Sequence, residues 1–367
     1  MTGAMYAAIA GLKSHMQKLN VIGNNISNVN TAGYKTAQTT FTEAIYTTVT
    51  AGSNGTDQVG GVNPSQIGYG CNVGTIAMDM STASYNADGN GMHCMIDGDG
   101  FFLTGNKSTA TVSADGGTTL ATVNPKDLEL SRVGDFCFDS QGYLVDGRGN
   151  VVYGFVTKTT KTDNTIDDAN NPQVSTQLVP IRLPMAAGKP DDPTAGPAQG
   201  TALYPTAKGD TNDGKNVYPA GSGQPITADN IYIDKATGKI TATNKADGSI
   251  LVVGYLAMGV VSNPNGVTRL QNGYYKAGEG AGQCIAASIG GALAGKPFNN
   301  QDPTADKAVE IQSAGNTALL TGGLESSGTD LATEIAEMIT TQRGYQANTR
   351  IITVTDSMLE ELVNMKR

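Results

Sequence analysis

The stretch Asn24-Asn25-Ile26-Ser27-Asn28-Val29-Asn30-Thr31-Ala32-Gly33-Tyr34-Lys35 closes the amphipathic pattern that opens this chain. From residue 9 onward, apolar residues recur at three- and four-residue steps that run into this stretch, and Leu12, Leu19 and Ile26 fall seven positions apart. This spacing predicts a helix from residue 1 to about residue 30 with a narrow apolar stripe. Because Asn and Ser side chains compete for backbone hydrogen bonds and Gly33 permits a positive φ, the quoted stretch ends the helix.

The same stretch holds more asparagine than a helix terminator needs. Five asparagines lie between residues 20 and 30, set among the apolar positions. Amide side chains both donate and accept hydrogen bonds, so this pattern indicates a polar face that meets another chain. The candidates for that contact are Asn24, Asn25, Asn28 and Asn30.

The segment 328–367 repeats the heptad pattern more strongly. Asp330 is a good N-cap for a helix that follows it. The apolar residues that step by seven are Leu331, Met338, Tyr345, Ile352 and Leu359, joined late by Met358, Leu362 and Met365 on an adjacent face. A narrow stripe cannot be buried by one helix alone, so each terminal helix needs a partner helix.

The two terminal segments also differ in charge. Residues 1–36 carry Lys13, Lys18 and Lys35 with no acidic residue, whereas the last helix has an excess of acidic side chains. Opposite charge favours their pairing, although weakly and subject to screening by salt. Both helices could pack into an ordinary globular core, but heptads at both ends of a β-rich chain favour coiled-coil-like assembly. The stripe residues of the two helices are therefore candidate polymerisation contacts.

Composition and turn signals predict that the middle of the chain is mostly β. Of 367 residues, 47 are glycine and none is tryptophan, which is typical of short strands joined by turns. Hairpins are predicted at residues 136–145 and 231–240, and a strand at residues 250–261.

The predicted fold class is α+β, with a mostly antiparallel β domain built from discontinuous segments. The terminal helices, 1–30 and 328–367, form a coiled-coil-like inner core. The other predicted regions are extended connectors at 31–70 and 300–327, a main β domain at 71–155 and 226–299, and a short outer insertion or small β domain at 156–225.

Several functional classes are disfavoured by residue content. A net charge of −9 argues against nucleic-acid binding, and only two histidines are present, which removes most acid–base arrangements. The four cysteines lie far apart without a Cys-x-x-Cys pair, so no metal or redox site is expected, and they could be disulfides or buried thiols. Neither a cleaved signal peptide nor a membrane span is indicated. We expect no cofactor and no catalytic residue.

The motif Asp97-Gly98-Asp99-Gly100 precedes the apolar run that begins at Phe101. A calcium loop would need further ligands, such as the bidentate glutamate of an EF-hand, at a spacing that this segment lacks. A tight turn is therefore the favoured interpretation.

The asparagine-rich helix end followed by Thr31, Gly33, Tyr34 and Lys35 resembles the signature of the flagellar rod and hook axial family. Three further stretches agree with that family in order and spacing. They are Ile96–Phe102, which contains Asp97, Gly98, Gly100 and Phe101, then Arg132–Phe136, and the C-terminal helix from Gly323 to Arg367. The resemblance covers roughly residues 1–155 and 226–367.

This resemblance implies a structural subunit, most similar to hook members of the family, that self-assembles into a hollow flexible tube. The tube would transmit motor torque and line an export channel outside the cell. The implied partners are other copies of the chain, the distal rod, the hook cap, the hook-filament junction proteins and the flagellar export apparatus, with no nucleic acid and no membrane insertion. A distal rod subunit is the alternative within the family. A secreted β-rich adhesin or carbohydrate-active enzyme is the alternative outside it.

Overall fold

A computed structural model describes residues 2–55, 60–106, 127–157, 174–183, 226–243, 250–291, 293, 297–298, 312–315 and 317–365. The chain forms two compact units, one from residues 1–79 with 327–367 and the other from residues 80–326. Helices lie at the two ends of the chain, and the strands between them pair almost entirely antiparallel. The predicted α+β class is confirmed.

The first unit is built on two long helices, α1 (Thr2–Ser27) and α2 (Leu331–Met365). Asp330 caps α2 as predicted, because its carboxylate accepts hydrogen bonds from the Ala332 backbone N–H at 3.2 Å and from the Thr333 hydroxyl. At the other end, α1 gives way to turns that include Gly33 at φ 65°, a conformation that favours glycine.

The part of the first unit that the structure describes also has four strands: β1 (Ala37–Glu43), β2 (Tyr46–Thr50), β3 (Ser65–Gly68) and β4 (Cys71–Met78). Strand β1 pairs antiparallel with β4, with Ala37 opposite Met78, and both strands contact α1. Strand β2 pairs antiparallel with β3 as a separate two-stranded sheet. The four strands therefore make two small sheets, one of which supports α1.

The described residues of the second unit form eighteen strands, in chain order: β5 (Tyr85–Ala87), β6 (Cys94–Asp97), β7 (Phe101–Gly105), β8 (Glu129–Ser131), β9 (Phe136–Phe138), β10 (Leu144–Asp146), β11 (Val151–Thr157), β12 (Val174–Pro180), β13 (Ile231–Ile233), β14 (Lys239–Thr243), β15 (Ile250–Val261), β16 (Val267–Arg269), β17 (Tyr275–Ala277), β18 (Cys284–Ser288), β19 (Pro297–Phe298), β20 (Gln312–Ser313), β21 (Ala318–Thr321) and β22 (Gly323–Glu325).

One large sheet dominates the second unit, with β13, β14, β15, β11, β7, β8, β17 and β16 as consecutive neighbours. Strand β15 is buried at almost every position, as expected for a continuous apolar run in a central strand. Strands β21 and β22 return to pair with β6 and β5, which joins the start and the end of the unit. The core therefore combines residues from both halves of this unit.

The two predicted hairpins and the predicted strand are confirmed. Strand β9 pairs with β10 around a turn in which the Asp139 carboxylate accepts hydrogen bonds from two backbone N–H groups, and β13 pairs with β14. The strand at 250–261 is β15. Local alternation and turn chemistry were enough to locate these elements.

Residues 97–100 form a sharp bend between β6 and β7, which belong to different sheets. Gly100 lies at φ 130°, and a side chain there would meet the Met258 sulfur at 2.5 Å. The bend requires glycine for both reasons. No group of three potential metal-ligating side chains occurs among the residues that the structure describes.

Of the predicted insertion 156–225, the structure describes residues 156–157 and 174–183. Within it, β12 pairs antiparallel with β11 as part of the large sheet. The remaining residues of that range lie outside the described part of the chain. In the helices that the structure does describe, none combines the length and apolar character needed to cross a membrane.

Candidate assembly surface of the terminal helices

Helices α1 and α2 pack against each other in antiparallel orientation along a narrow seam. A methyl group built at Gly11 would lie 2.7 Å from the Asn348 side chain, and one built at Gly344 would lie 2.8 Å from the His15 ring. Nearer the start of α2, the Lys18 ammonium lies 3.0 Å from the Glu337 carboxylate. Contact positions that move toward the C-terminus of α1 therefore move toward the N-terminus of α2, as expected for antiparallel helices. The Lys18–Glu337 pair is one instance of the predicted charge attraction.

Small and polar side chains occupy the most buried positions of this seam. On α1 they include Gly11 and Asn25, and on α2 they are Glu334, Thr341 and Thr355. The two threonine hydroxyls are satisfied locally, since each donates to the carbonyl oxygen of the residue four positions earlier. Small side chains at these positions let the helix backbones approach closely.

The predicted stripe residues lie beside this seam and in part beyond it. Leu12, Leu19 and Ile26 on α1, and Met338, Tyr345 and Ile352 on α2, are partly buried, whereas Leu331 and Leu359 are exposed. Much of the heptad pattern is thus used for pairing α1 with α2 inside one chain.

A second set of apolar side chains points away from the seam, and we call it the outward stripe. On α1 it comprises Tyr6, Ile9 and Met16, with Ile9 and Met16 each 45% exposed; on α2 it comprises Ile351, Val354, Met358, Leu362 and Met365, with Val354 50% and Met365 75% exposed. Successive α2 members are three or four residues apart, which places them on one face. An apolar face of this length in solvent indicates a binding surface. The heptad analysis found only its last three α2 members.

Helix α2 extends beyond the start of α1. It has 35 residues against 26 in α1, and the antiparallel register places Ser357 near the level of Thr2. All residues from Asp356 to Met365 are exposed. We call residues 358–365 the overhang. It carries five exposed apolar side chains that α1 cannot reach: Met358, Leu359, Leu362, Val363 and Met365.

Asn25 is the hydrogen-bonding centre of the first unit. Its side-chain NH2 donates to the Ala37 carbonyl and to Glu334 Oε1, both at 2.9 Å, and its Oδ1 accepts from the Ala37 N–H and the Tyr34 hydroxyl. The residue is 1% exposed. Two donors and two acceptor positions are all occupied, so Asn25 ties the end of α1 to β1 and to the first turn of α2.

The segment Thr31–Lys35 lines the same joint. The Tyr34 carbonyl accepts a hydrogen bond from the Gly328 N–H at 2.9 Å, and the Thr36 and Thr329 hydroxyls lie 3.4 Å apart. Lys35 is 1% exposed and is among the largest fully buried side chains. Gly33, Tyr34 and Lys35 therefore help connect the segment after α1 to the segment before α2.

The other asparagines lie nearer the surface. Asn28 donates to the Asn24 carboxamide oxygen at 2.8 Å and accepts from the Thr31 hydroxyl, while Asn30 is exposed. The structure therefore brings Asn25 into contact with α2 and β1 of its own chain, and leaves Asn24 and Asn30 facing solvent.

Two titratable groups in the seam have shifted pKa values. Burial raises the pKa of Glu334, an effect that Glu337 reinforces and the Asn25 hydrogen bond opposes. Burial and the neighbouring Lys18 lower the pKa of His15, whose ring stacks edge-on against Phe41 at 5.5 Å. In both cases burial disfavours the charged form of the side chain.

The β2–β3 hairpin exposes both of its faces. Every residue of the two strands is exposed, including Val49 and Ile67, and Ile45 just before them is 79% exposed. An isolated two-stranded sheet is at best marginally stable in water. This hairpin is a further surface that a neighbouring molecule could cover.

In the second unit, one of the predicted motif residues packs against a buried charge. Phe101 packs beneath Arg132, whose guanidinium lies 5.4 Å from the ring centre and 3.9 Å from the Glu325 carboxylate. Both charged side chains are 1% exposed, and burial lowers the pKa of Arg132. Gly98 and Gly100 shape the bend, and Asp97 is exposed at its start. These residues serve the packing of the β unit.

The four cysteines are free thiols. Cys94 and Cys284 are buried, Cys71 is partly buried and Cys137 is exposed. Burial raises the pKa of Cys284 to about 11 and raises that of Cys94 further, so both remain thiols at neutral pH.

An uncovered helical face on one unit of a chain is typical of a subunit of a larger assembly. Residues 5–35 match the family model described as "Flagella basal body rod protein". Residues 320–365 match the one described as "Flagellar basal body rod FlgEFG protein C-terminal". The two matches cover the paired helices and the Asn25 joint.

Curated relatives match along the whole chain. A flagellar basal-body rod protein FlgG of Bacillus subtilis is 28% identical, with all of both chains covered. A flagellar hook protein FlgE of Borreliella burgdorferi is 25% identical, again with full coverage of both. One from Escherichia coli is 25% identical over 99% of this chain and all of its own. The matches at both ends and along the whole length support a structural protein of the flagellar rod and hook family.

Proposed function

We propose that this chain is the subunit of the flagellar hook, and that it polymerises outside the cell through its terminal helices into a hollow, flexible tube. The observation that carries the proposal is the outward stripe of α2, which stays exposed after α1 has covered the opposite side of the same helix. A helix that is apolar on two sides needs two neighbours, and a single chain supplies one of them.

The energetic argument favours assembly. Complete burial of a side chain such as Ile351, Val354 or Leu362 is worth about 1.5–3 kcal/mol, so covering the outward stripe offsets the cost of bringing copies together. Contacts between different faces of neighbouring copies can continue without closing, which gives helical polymers. Paired terminal helices in concentric layers would form the wall of such a tube.

The hook assignment rests on the C-terminal sequence and on the relatives. Hook proteins from Borreliella burgdorferi and Escherichia coli match nearly the whole chain, and the closing segment after Ile339 resembles hook members of the family. In this role the protein transmits torque and bends, with no catalytic residue. Its further partners are the distal rod, the hook cap, the hook-filament junction proteins and the export apparatus.

A distal rod subunit is the second candidate. The Bacillus subtilis relative named as a rod protein aligns over 367 positions, the length of this chain. The Borreliella burgdorferi hook protein needs 465 positions, so it carries residues that this chain lacks. A chain without that additional material fits a rod as well as a short hook subunit.

Substitution within the outward stripe tests polymerisation. Val354→Asp introduces a charge where the single chain is already exposed, so the monomer keeps its circular dichroism spectrum while polymer formation falls at least tenfold in sedimentation assays. Thr353→Asp places the same charge on the neighbouring exposed position and serves as the matched control. Normal tubes from Val354→Asp chains would refute the proposal.

Electron micrographs of the wild-type polymer separate the two candidates. A hook subunit forms tubes that are curved or change curvature from one tube to another, whereas a rod subunit forms straight ones. Uniformly straight tubes would transfer the assignment to the rod.

A further inference from the structure

The overhang of α2 and the outward face of α1 carry matching patterns of apolar and charged side chains. On α1, Lys13 is exposed and stands between Ile9, four residues before it, and Met16, three residues after it. On α2, Glu361 is exposed and stands between Met358, three residues before it, and Met365, four residues after it.

These two spacings are mirror images, which selects one relative orientation. If the two faces pack antiparallel with Lys13 opposite Glu361, the residue four before Lys13 falls beside the residue four after Glu361. Ile9 then packs against Met365, and Met16 packs against Met358. Two apolar contacts flank one pair of opposite charges, which aligns the helices in a single register.

The two faces cannot meet within one chain. The α1 residues that meet α2, among them Gly11 and His15, lie on a different side of the helix from Ile9 and Met16. The overhang starts beyond the first residue of α1 in the antiparallel register. Within the described part of the chain, neither Lys13 nor Glu361 forms an ion pair. Each face is therefore available to a second molecule.

We propose that the overhang of α2 docks antiparallel on the outward face of α1 in a second copy of this chain, with Glu361 paired to Lys13. This inference rests on the proposed polymerisation and names the segments that meet. Because one copy presents its overhang and the next presents its α1 face, the contact is head-to-tail and can repeat along a polymer.

Charge reversal tests the pairing in the full-length chain. Lys13→Glu or Glu361→Lys alone places like charges together, so we expect the concentration needed for polymerisation to rise about tenfold. The double variant Lys13→Glu/Glu361→Lys restores the opposite pairing and should return to within about threefold of wild type. Glu360→Lys, which changes the adjacent exposed residue on another side of α2, is the control and should leave polymerisation unchanged.

Disulfide cross-linking gives an independent measurement. It can detect the contact even where a substitution weakens polymerisation. With Cys137 replaced by Ser, Lys13→Cys chains are mixed with Glu361→Cys chains and oxidised. A two-chain product at least severalfold above that of a Lys13→Cys and Glu360→Cys mixture supports the contact. If wild-type tubes form while neither charge reversal nor cross-linking responds, the inference is overturned and the proposed polymerisation still stands. If the wild-type chain forms no tubes, the polymerisation itself fails.

Discussion

The Asn25 amide donates a hydrogen bond to Glu334 Oε1 at 2.9 Å, although the two residues lie 309 positions apart in sequence. The same amide also binds the Ala37 carbonyl, so one side chain joins α1, α2 and the first strand. This joint lies among residues that the sequence marks by an unusual density of asparagine. Its buried polar contacts are the part of the first unit most sensitive to substitution.

Removing the Asn25 side chain should open the joint. Asn25→Ala leaves the Ala37 backbone groups and Glu334 without their partner, and we expect a loss of about 2–4 kcal/mol in local stability. Hydrogen exchange of residues 22–37 in the full chain measures it. Asn20→Ala removes an exposed amide from the same helix and should cost nothing, since alanine is the better helix former. Equal exchange in the two variants would contradict the role of Asn25.

Glu334 should make the helix pair more stable in mild acid. Its folded pKa is raised, mainly by burial, so the stabilising contribution is present below the unfolded pKa and is lost as pH rises through the folded value. Glu334→Gln keeps the oxygen that accepts from Asn25 and removes the titration. We expect the variant to lose the decline of stability that sets in as pH rises above the ordinary glutamate pKa of about 4.3, measured by urea denaturation of the first unit. If the Glu334→Gln variant shows the same decline of stability with rising pH, other titratable groups are responsible for it.

Gly134 should not tolerate a methyl group. A Cβ there would lie 2.0 Å from the Cys94 carbonyl oxygen, and that backbone cannot shift easily because the Cys94 N–H donates to the Gly134 carbonyl at 3.0 Å. Gly134→Ala should therefore destabilise the β unit by about 2–4 kcal/mol in urea unfolding. Gly91→Ala, at a position with open space around it, is the matched control and should change stability by less than about 1 kcal/mol.

Loss of Arg132 should leave a buried negative charge. Arg132→Met removes the cation near Glu325, and we expect a cost of about 3–5 kcal/mol in the unfolding of the β unit. Adding Glu325→Gln should recover a substantial part of that loss, because the uncompensated charge is gone. Lys276→Met, an exposed cation of the same unit, should have almost no effect. Additive losses in the double variant would show that the two side chains do not interact.

Much of the fold could be predicted from local pattern. The strand at 250–261, the turn around Asp139 and the cap at Asp330 each depend on a few neighbouring residues, so periodicity and turn chemistry find them. Which strands pair with each other depends on residues far apart in the sequence. The alternation in Cys71–Met78 indicates a strand, but it carries no information that the strand pairs with Ala37–Glu43.

On the helices, too, local pattern predicted some features and could not predict those that depend on distant residues. Heptad spacing identified Met338, Tyr345 and Ile352, which lie partly buried along the helix pair. It did not identify Glu334, Thr341 and Thr355 as buried, because a search for apolar residues passes over polar side chains that are satisfied by local or long-range hydrogen bonds. It also could not separate the two sides of α2, since periodicity gives the angle between residues but does not show which side α1 occupies.

The full exposure of the β2–β3 hairpin makes its backbone amides a sensitive probe of contacts with other molecules. With no residue shielded from water, its backbone amides in a lone molecule are protected by little more than their own ladder of hydrogen bonds. A neighbouring molecule that packs on Val49 or Ile67 would slow the hydrogen exchange of these backbone amides. Hydrogen exchange of the hairpin amides can therefore distinguish the monomer from the assembled state without any added label.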